Sequence, residues 1–432
     1  MVRLKGGVCS LATYVVLVIL IYLFVVKPLV VRILETERPL ASDPLPADIL
    51  DNMNLSCTTV LKGWRNNGTA AELLDERLIE DRLLYSTDRC RTLRSMYRFQ
   101  SRPLSEGERN YPLAYGMLVY RDLPQVLFLL SAVYHPQNEY CIAVGENSAL
   151  LFQHLLKELS TCFPNVHFMT RPPINWGGHE IINSAFECLR FLSHLKSEWR
   201  YFQYLSGVDV PLRTNSEMVE IFKVLNGTAN VEVKKYQTRR LKGKKENLSP
   251  LPLFKSSLSA LIPREAANQL ASSNLPQELL EFLRNTGIAD EGFWGTLLGN
   301  KDKFNIPGAL NFKEWIDYVE NSNLTWGAHR IRYYISRDQV WTKRNCHNYI
   351  SSGSCVFGVG DVPRLLKSKA LIAHKFYLRS EPDAYFCMLK EHRRRTDNPD
   401  PDFDVSIYSE LPQLELARGV NFSQITNQNS LL

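Results

Sequence analysis

Hydropathy divides the chain before any residue needs a role. Between Lys5 and Lys27 lie 21 residues without a charge, and Leu11 to Val26 is almost wholly aliphatic or aromatic. About 20 such residues span a bilayer core. Lys27-Pro28-Leu29-Val30-Val31-Arg32 follows, without the small residues of a cleavage site. An uncleaved anchor is therefore expected over residues 10–26, behind a short tail of residues 1–9. Residues 27–108 lack strong period-two alternation and carry one helical patch, Ala70–Leu84, so a stem and docking segment is expected there. From Tyr111 the pattern changes. Leu113–Val119 is an apolar run, Leu123–Val133 is helix-like and Tyr140–Val144 is a short buried strand. Ser148–Leu159 follows as an amphipathic helix and Val166–Met169 as a strand. Glu180–Lys196 is a long helix, and Tyr201–Ser206 is a strand ending at Gly207-Val208-Asp209. Strands alternating with helices of this length predict an α/β fold with a mostly parallel, doubly wound sheet, here over residues 109–396. Residues 397–432 turn polar and rich in Pro, Asp and Asn, which predicts a loose tail.

Composition adds a compartment. Charges flank the apolar span on both sides, so they do not orient it. Six N-x-[ST] acceptors follow it, at Asn54, Asn67, Asn226, Asn247, Asn323 and Asn421, as do eight of the nine cysteines. Together they place the bulk of the chain in an oxidising lumen and make it a single-pass type II membrane protein. The net charge of +6 includes the basic runs Arg239–Lys245 and Arg393–Arg395. A solvated loop and a helix end account for these, and no zinc-finger, helix-turn-helix or RNP spacing supports nucleic acid as a partner.

Chemistry in such a sheet sits at the carboxyl ends of the strands. The chain carries no G-x-G-x-x-G after its first strand, no P-loop, no H-E-x-x-H and no G-x-S-x-G. What remains is an acidic turn after a strand at Asp209, an Asp290-Glu291 pair before Phe293 and Trp294, and a basic residue late in the domain. This is the layout of a nucleotide-sugar transferase of the GT-A type.

From Cys57 to Thr396 the chain resembles the core 2 / I-branching β1,6-N-acetylglucosaminyltransferase family, whose wider circle includes peptide O-xylosyltransferase. The residues that carry the resemblance are Tyr111–Tyr115, Pro136–Ile142, Cys162–Val166, Leu205–Asn215, Asp290–Trp294, Cys355–Asp361 and His374-Lys375-Phe376, in that order. It implies a GT-A fold, Golgi residence, inversion at the anomeric carbon, a UDP-sugar donor, a glycan acceptor of the mucin O-glycan kind, and no metal or other cofactor. Glu291 matches the general base, which direct displacement requires. The same acidic pair also suits a helix beginning near Gly292, with Asp290 as its cap. Lys375 matches a diphosphate-binding lysine. Asp209 stands alone where metal-dependent relatives of the fold carry Asp-x-Asp. The only such spacing, around Asp400-Pro401-Asp402, falls in the tail.

On the donor side Trp176 matches a tryptophan near the donor pocket, with a core position as the alternative. Two positions depart from the family pattern. Ser352 stands where the family has a second diphosphate-binding arginine, with Arg379, Arg364 or Lys367 as substitutes. Gly145 stands where it has a nucleotide-binding aspartate, with Glu146 as the substitute. The donor is thereby left open between N-acetylglucosamine, the family default, and glucose or another hexose. On the acceptor side Glu232, Tyr333 or Tyr334, and Arg239 or Arg240 match glycan contacts. The resemblance also implies the pairings Cys57–Cys387, Cys90–Cys162, Cys141–Cys188 and Cys346–Cys355. A xylosyltransferase and an inactive luminal glycan-binding relative stand as alternatives, and oligomeric state is open. Cell-expressed protein is expected to lose mass on enzymatic N-glycan removal and to stay with the membrane in alkaline carbonate. Unchanged gel mobility would overturn the luminal orientation.

Overall fold

Alternation at period two sorts the first strands onto two buried faces. The computed structural model describes residues 48–65, 76–322, 324 and 333–431, with Leu20 and Tyr22. The expected anchor, the start of the 70–84 helical patch, and the sequons at Asn67 and Asn323 lie outside the described residues. Among the described residues no helix is long and apolar enough to cross a membrane. The strands are β1 (Ala114–Val119), β2 (Glu139–Gly145), β3 (Val166–Arg171), β4 (Tyr201–Ser206), β5 (Asp209–Pro211), β6 (Lys234–Lys235), β7 (Phe254–Lys255), β8 (Leu261–Pro263), β9 (Asp338–Gln339), β10 (Tyr349–Ser351), β11 (Ser354–Val356) and β12 (Ile372–His374).

The main sheet has the order β3-β2-β1-β4-β8. Its first four members are parallel, and β8 closes it antiparallel to β4, so the sheet is mixed. Tyr115, Met117 and Val119 of β1 join Tyr140, Ile142 and Val144 of β2 in one apolar cluster. Ala114, Cys141 and Ala143 face the other. The first face is covered by the helices Leu123–Val133, Leu150–Cys162 and Pro382–Asp397, the second by His179–Ser193, Arg264–Ser272 and Leu275–Leu283. A sheet buried on both faces explains why these strands read as near-continuous apolar runs. Gly116 is required at the centre: a Cβ there would lie 2.6 Å from the Phe202 ring of β4.

The expected and observed helices agree at Leu123–Val133 and differ by a few residues elsewhere. Ser148 is buried at the end of a turn, its N–H bonded to the Gly145 carbonyl, so the second helix starts at Leu150 and runs on to Cys162. The third ends at Ser193, where His194 N–H closes a tighter turn onto the Phe191 carbonyl. The helix Asn215–Leu225 is fixed at its start by a reciprocal capping box of Thr214 and Glu217.

The described part of segment 27–108 is packed into the fold. Leu50, Val60, Leu83, Leu93, Met96 and Tyr97 enter the first cluster, and Arg393 of the last long helix pairs with Asp48 at 2.6 Å. The tail is docked rather than loose, because its scattered apolar residues find sites. Tyr408, Leu411 and Leu414 are buried, Arg213 Nε donates to the Tyr408 hydroxyl, and Trp315 Nε1 donates to the Leu431 carbonyl. Four disulfides join Cys57 to Cys387, Cys90 to Cys162, Cys141 to Cys188 and Cys346 to Cys355, the pairing implied by the resemblance. The sequon residues Asn54, Asn226, Asn247 and Asn421 are all exposed.

Two smaller sheets build onto the carboxyl end of β4. β12 lies between β5, to which it is antiparallel, and β9, to which it is parallel. β10 and β11 form a hairpin whose turn, Ser352-Gly353, takes positive φ at both residues. The Cys57–Cys387 bridge spans 330 residues. Replacing both cysteines by serine is expected to cost about 2–5 kcal/mol of unfolding free energy by urea denaturation, with the main sheet retained by circular dichroism.

Candidate active site

The loops after β1, β2, β3 and β4 open onto a cleft of about 1170 Å³, at the carboxyl ends of the strands where open α/β sheets hold ligands. Tyr120, Asn147, Trp176 and Ser206 mark the four loops along its wall. The cleft has an end rich in carboxylates and an end rich in cations.

At the first end, Asp290 and Glu291 lie in the tight turn Ala289–Gly292. Neither acts as a helix cap, since the next helix opens at Trp294 with no side-chain cap. Arg240 Nη1 lies 2.6 Å and Lys255 Nζ 3.2 Å from a Glu291 carboxylate oxygen. The Arg240 contact is an ion pair whose angle falls outside hydrogen-bond geometry. Lys255 also lies 3.6 Å from Glu232, which pairs with Lys234 as well. The β6–β7 register sets Lys234 opposite Lys255 and so brings both lysines to the two glutamates. Asp290 is partly buried, and its Oδ1 is shielded from solvent without a partner among the described residues. Burial and the Glu291 charge push its carboxyl up to about 6, against the pull of Arg240 and Lys255.

The two pairs of alternatives at this end take different positions. Tyr334 lines the cleft and donates its hydroxyl to the Ser259 carbonyl at 2.7 Å. Tyr333 is buried elsewhere, its hydroxyl bracketed by the Val233 N–H and carbonyl. Arg240 lines the cleft, whereas Arg239 is exposed away from it.

At the other end Lys375 is buried and donates from Nζ to the Ser351 carbonyl at 2.7 Å. Arg364, Lys367 and Lys369 line the same end, beside Ser352 at the hairpin tip. Arg364 Nη1 grips both oxygens of Asp338, at 3.0 and 2.9 Å. Arg379 is not part of this wall: its side chain is 72% exposed and pairs with Asp122. Trp176 is 74% exposed at the cleft mouth, which excludes a core role.

Three donor-side expectations need correction. Asp209 does not face the cleft. It is fully buried, and its carboxylate takes the Ser206 N–H at 2.7 Å, His374 Nδ1 at 2.7 Å and Arg337 Nη2 at 3.2 Å. Burial alone would raise this carboxyl, but Arg337, His374 and the Ser206 N–H hold it below its ordinary value. Gly145 and Glu146 also stand off the wall. The Gly145 backbone is closed over by Asn147 and Ile174, and Glu146 is exposed, so Asn147 is the residue this loop presents. It is braced by reciprocal bonds with Ile174.

Sequence reasoning missed Arg337 and Lys255 and gave His374 no role of its own. Arg337 meets Asp209 across 128 residues, and no local pattern encodes that contact. Among the described residues no three His, Cys, Asp or Glu side chains converge to hold a metal ion.

The raised Asp290 carboxyl has a thermodynamic consequence. The folded state holds this proton more tightly than the unfolded chain, so the stability it contributes is present below about pH 4 and lost as pH rises through about 6. In urea titrations from pH 4 to 7, wild type should lose about 1–3 kcal/mol relative to Asp290→Asn. A pH-independent difference would refute the assignment.

The chain has known relatives. The family model for the Core-2/I-Branching enzyme matches residues 113–338, just over half of the chain. The beta-1,3-galactosyl-O-glycosyl-glycoprotein beta-1,6-N-acetylglucosaminyltransferase 3 of Homo sapiens is 26% identical over 371 residues, covering 79% of this chain and 83% of that protein. The N-acetyllactosaminide beta-1,6-N-acetylglucosaminyl-transferase of Mus musculus is 28% identical over 319 residues, covering 68% and 76%. Among solved structures, the mannosyltransferase Ktr4p of S. cerevisiae in complex with GDP is similar over 57% of this chain and 79% of that one, with 11% identity and a TM-score of 0.26. S. aureus TarS 1–349 is similar over 40% and 56%, with 8% identity and a TM-score of 0.23. By the extent of the family match, the chain belongs to the Core-2/I-branching enzyme family and is a glycosyltransferase.

Proposed function

We propose that the enzyme moves a sugar, N-acetylglucosamine by kinship with the relatives named above, from its UDP conjugate to a glycan acceptor of the O-glycan class, with inversion and on a GT-A fold. The observation that carries this reading is that Glu291 and the cations Lys375, Arg364, Lys367 and Lys369 line one cleft. An acceptor hydroxyl is a poor nucleophile near neutral pH. As its oxygen bonds to the anomeric carbon, the bond from that carbon to the diphosphate breaks, and Glu291 takes the hydroxyl proton. Arg240 and Lys255 hold the carboxylate in place beforehand. Glu232 and Tyr334 stand beside it to orient the acceptor.

The departing diphosphate gathers negative charge, and fixed cations stabilise it as it forms. Lys375 is the principal one. Arg364 and Lys367, with Lys369, supply the charge that Ser352 does not, while Arg379, exposed and paired with Asp122, is not part of the wall. Metal independence rests on the same arrangement and on Asp209, whose oxygens are already committed to Arg337, His374 and the Ser206 N–H. Luminal Golgi residence with a type II anchor is supported by the four disulfides and the exposed sequons.

The test is UDP release by the purified protein with individual UDP-sugars and an O-glycan acceptor. Turnover should survive millimolar EDTA. Glu291→Gln should lower kcat by roughly 10²–10⁴ while UDP binding persists. Normal turnover of that variant would sink the assignment of the base, and restoration of activity only by manganese would sink the metal-free reading.

A further inference from the structure

Between the two ends of the cleft lies a polar cluster to which the proposed transfer step assigns no contact with substrate. β12 and β5 pair with His374 directly opposite Asp209, so the ring of one meets the carboxylate of the other across the ladder. Arg337 enters from the residue before β9, the third strand of this small sheet, and grips the same carboxylate. His374 and Arg337 both line the cleft, while Asp209 lies behind them.

The bond to Asp209 fixes the tautomer of His374. An ionised carboxylate only accepts, so Nδ1 carries the proton and donates at 2.7 Å. Burial, with the charge of Arg337 alongside, pushes the ring down to about 4, so it stays neutral at working pH. Nε2 is then a bare acceptor, and it makes no hydrogen bond among the described residues. Arg337 is the complementary group, a fixed array of donors.

Neighbouring contacts give the place of this pair along the cleft. Lys375, the diphosphate residue of the proposed function, follows His374 in sequence. On the other side the Arg337 guanidinium lies 5.4 Å over the Tyr204 ring, and the charge of Asp290 reaches the same phenol. Arg337 also acts on Tyr334, which Glu232 influences in turn. The order is therefore phosphate cations, His374 and Arg337, then the carboxylate end. A sugar leaving a diphosphate for an acceptor beside Glu291 has to occupy the middle.

We propose that His374 is a specificity-determining residue for the transferred sugar, its Nε2 accepting a hydrogen bond from a ring hydroxyl or an amide N–H, with Asp209 as the residue that positions it. The inference rests on the nucleotide-sugar reading above and goes beyond it by separating recognition of the sugar from recognition of the UDP. A binding site built around one oriented acceptor discriminates against ligands that offer it no proton.

The experiment is calorimetric binding by the detergent-solubilised full-length protein, with UDP, UDP-N-acetylglucosamine and UDP-glucose as separate ligands. For the UDP-sugar that wild type binds best, His374→Phe should weaken affinity about 3- to 10-fold, the weight of one hydrogen bond, with UDP affinity unchanged. His374→Gln, whose amide oxygen reaches the position of Nε2, should restore most of the loss. Equal loss for UDP and UDP-sugar, or no loss for either, would overturn the proposal while leaving the nucleotide-sugar reading intact. Wild type that binds none of the three ligands would remove that reading and this inference together.

Discussion

The buried carboxylate of Asp209 is the constraint on which the cleft depends. A lone acid in an apolar interior is prohibitively expensive, so it persists only when paired and hydrogen-bonded. Here the compensation comes from one neighbour, at the end of β4, and from two places distant in sequence, the residue before β9 and the end of β12. Satisfying one charge thus locks the small sheet onto the main one. β12 leads directly into Lys375, so the backbone ladder between β5 and β12 sets where the cation end of the cleft stands relative to the strand ends.

The carboxylate end solves a different problem. Three acids, Glu232, Asp290 and Glu291, crowd one wall and would repel one another if left alone. Lys234, Arg240 and Lys255 are interleaved with them, so the local charge is nearly balanced. The residual imbalance falls on Asp290, which has no cation of its own among the described residues and an unpartnered, solvent-shielded Oδ1. A glycan, uncharged and rich in hydroxyls, suits such a wall, because it can exchange hydrogen bonds with both signs without being driven out by either.

Much of this was legible in the sequence, for identifiable reasons. β1 to β4 announced themselves because a sheet covered on both faces needs unbroken apolar runs. Glu291 and Lys375, both on the cleft wall, stood out in the sequence because each belongs to a short motif of recognisable spacing. Adjacent alternatives were harder: neighbouring residues in an extended or turning segment point to different sides, so Tyr333 or Tyr334, Arg239 or Arg240, and Glu146 or Asn147 need the path of the backbone. Asp209 misled because an acid after a strand looks the same whether it faces a ligand or the interior. The tail misled through composition, since a few apolar residues, among them Tyr408, Leu411 and Leu414, suffice to dock an otherwise polar segment.

The bridge between Cys57 and Cys387 bears on how the molecule is made. Synthesis proceeds from the amino terminus, so the thiol of Cys57 emerges first and waits while 330 further residues are added. During that interval Cys90, Cys141 and Cys162 appear nearer at hand, each an available wrong partner. The correct bond forms only once the fold has brought the last long helix back against the short helical turn that carries Cys57, so it waits on the arrival of one late cysteine. Fidelity at Cys57 is therefore a matter of timing, and it ties the yield of native enzyme to the thiol-exchange capacity of the compartment in which it folds.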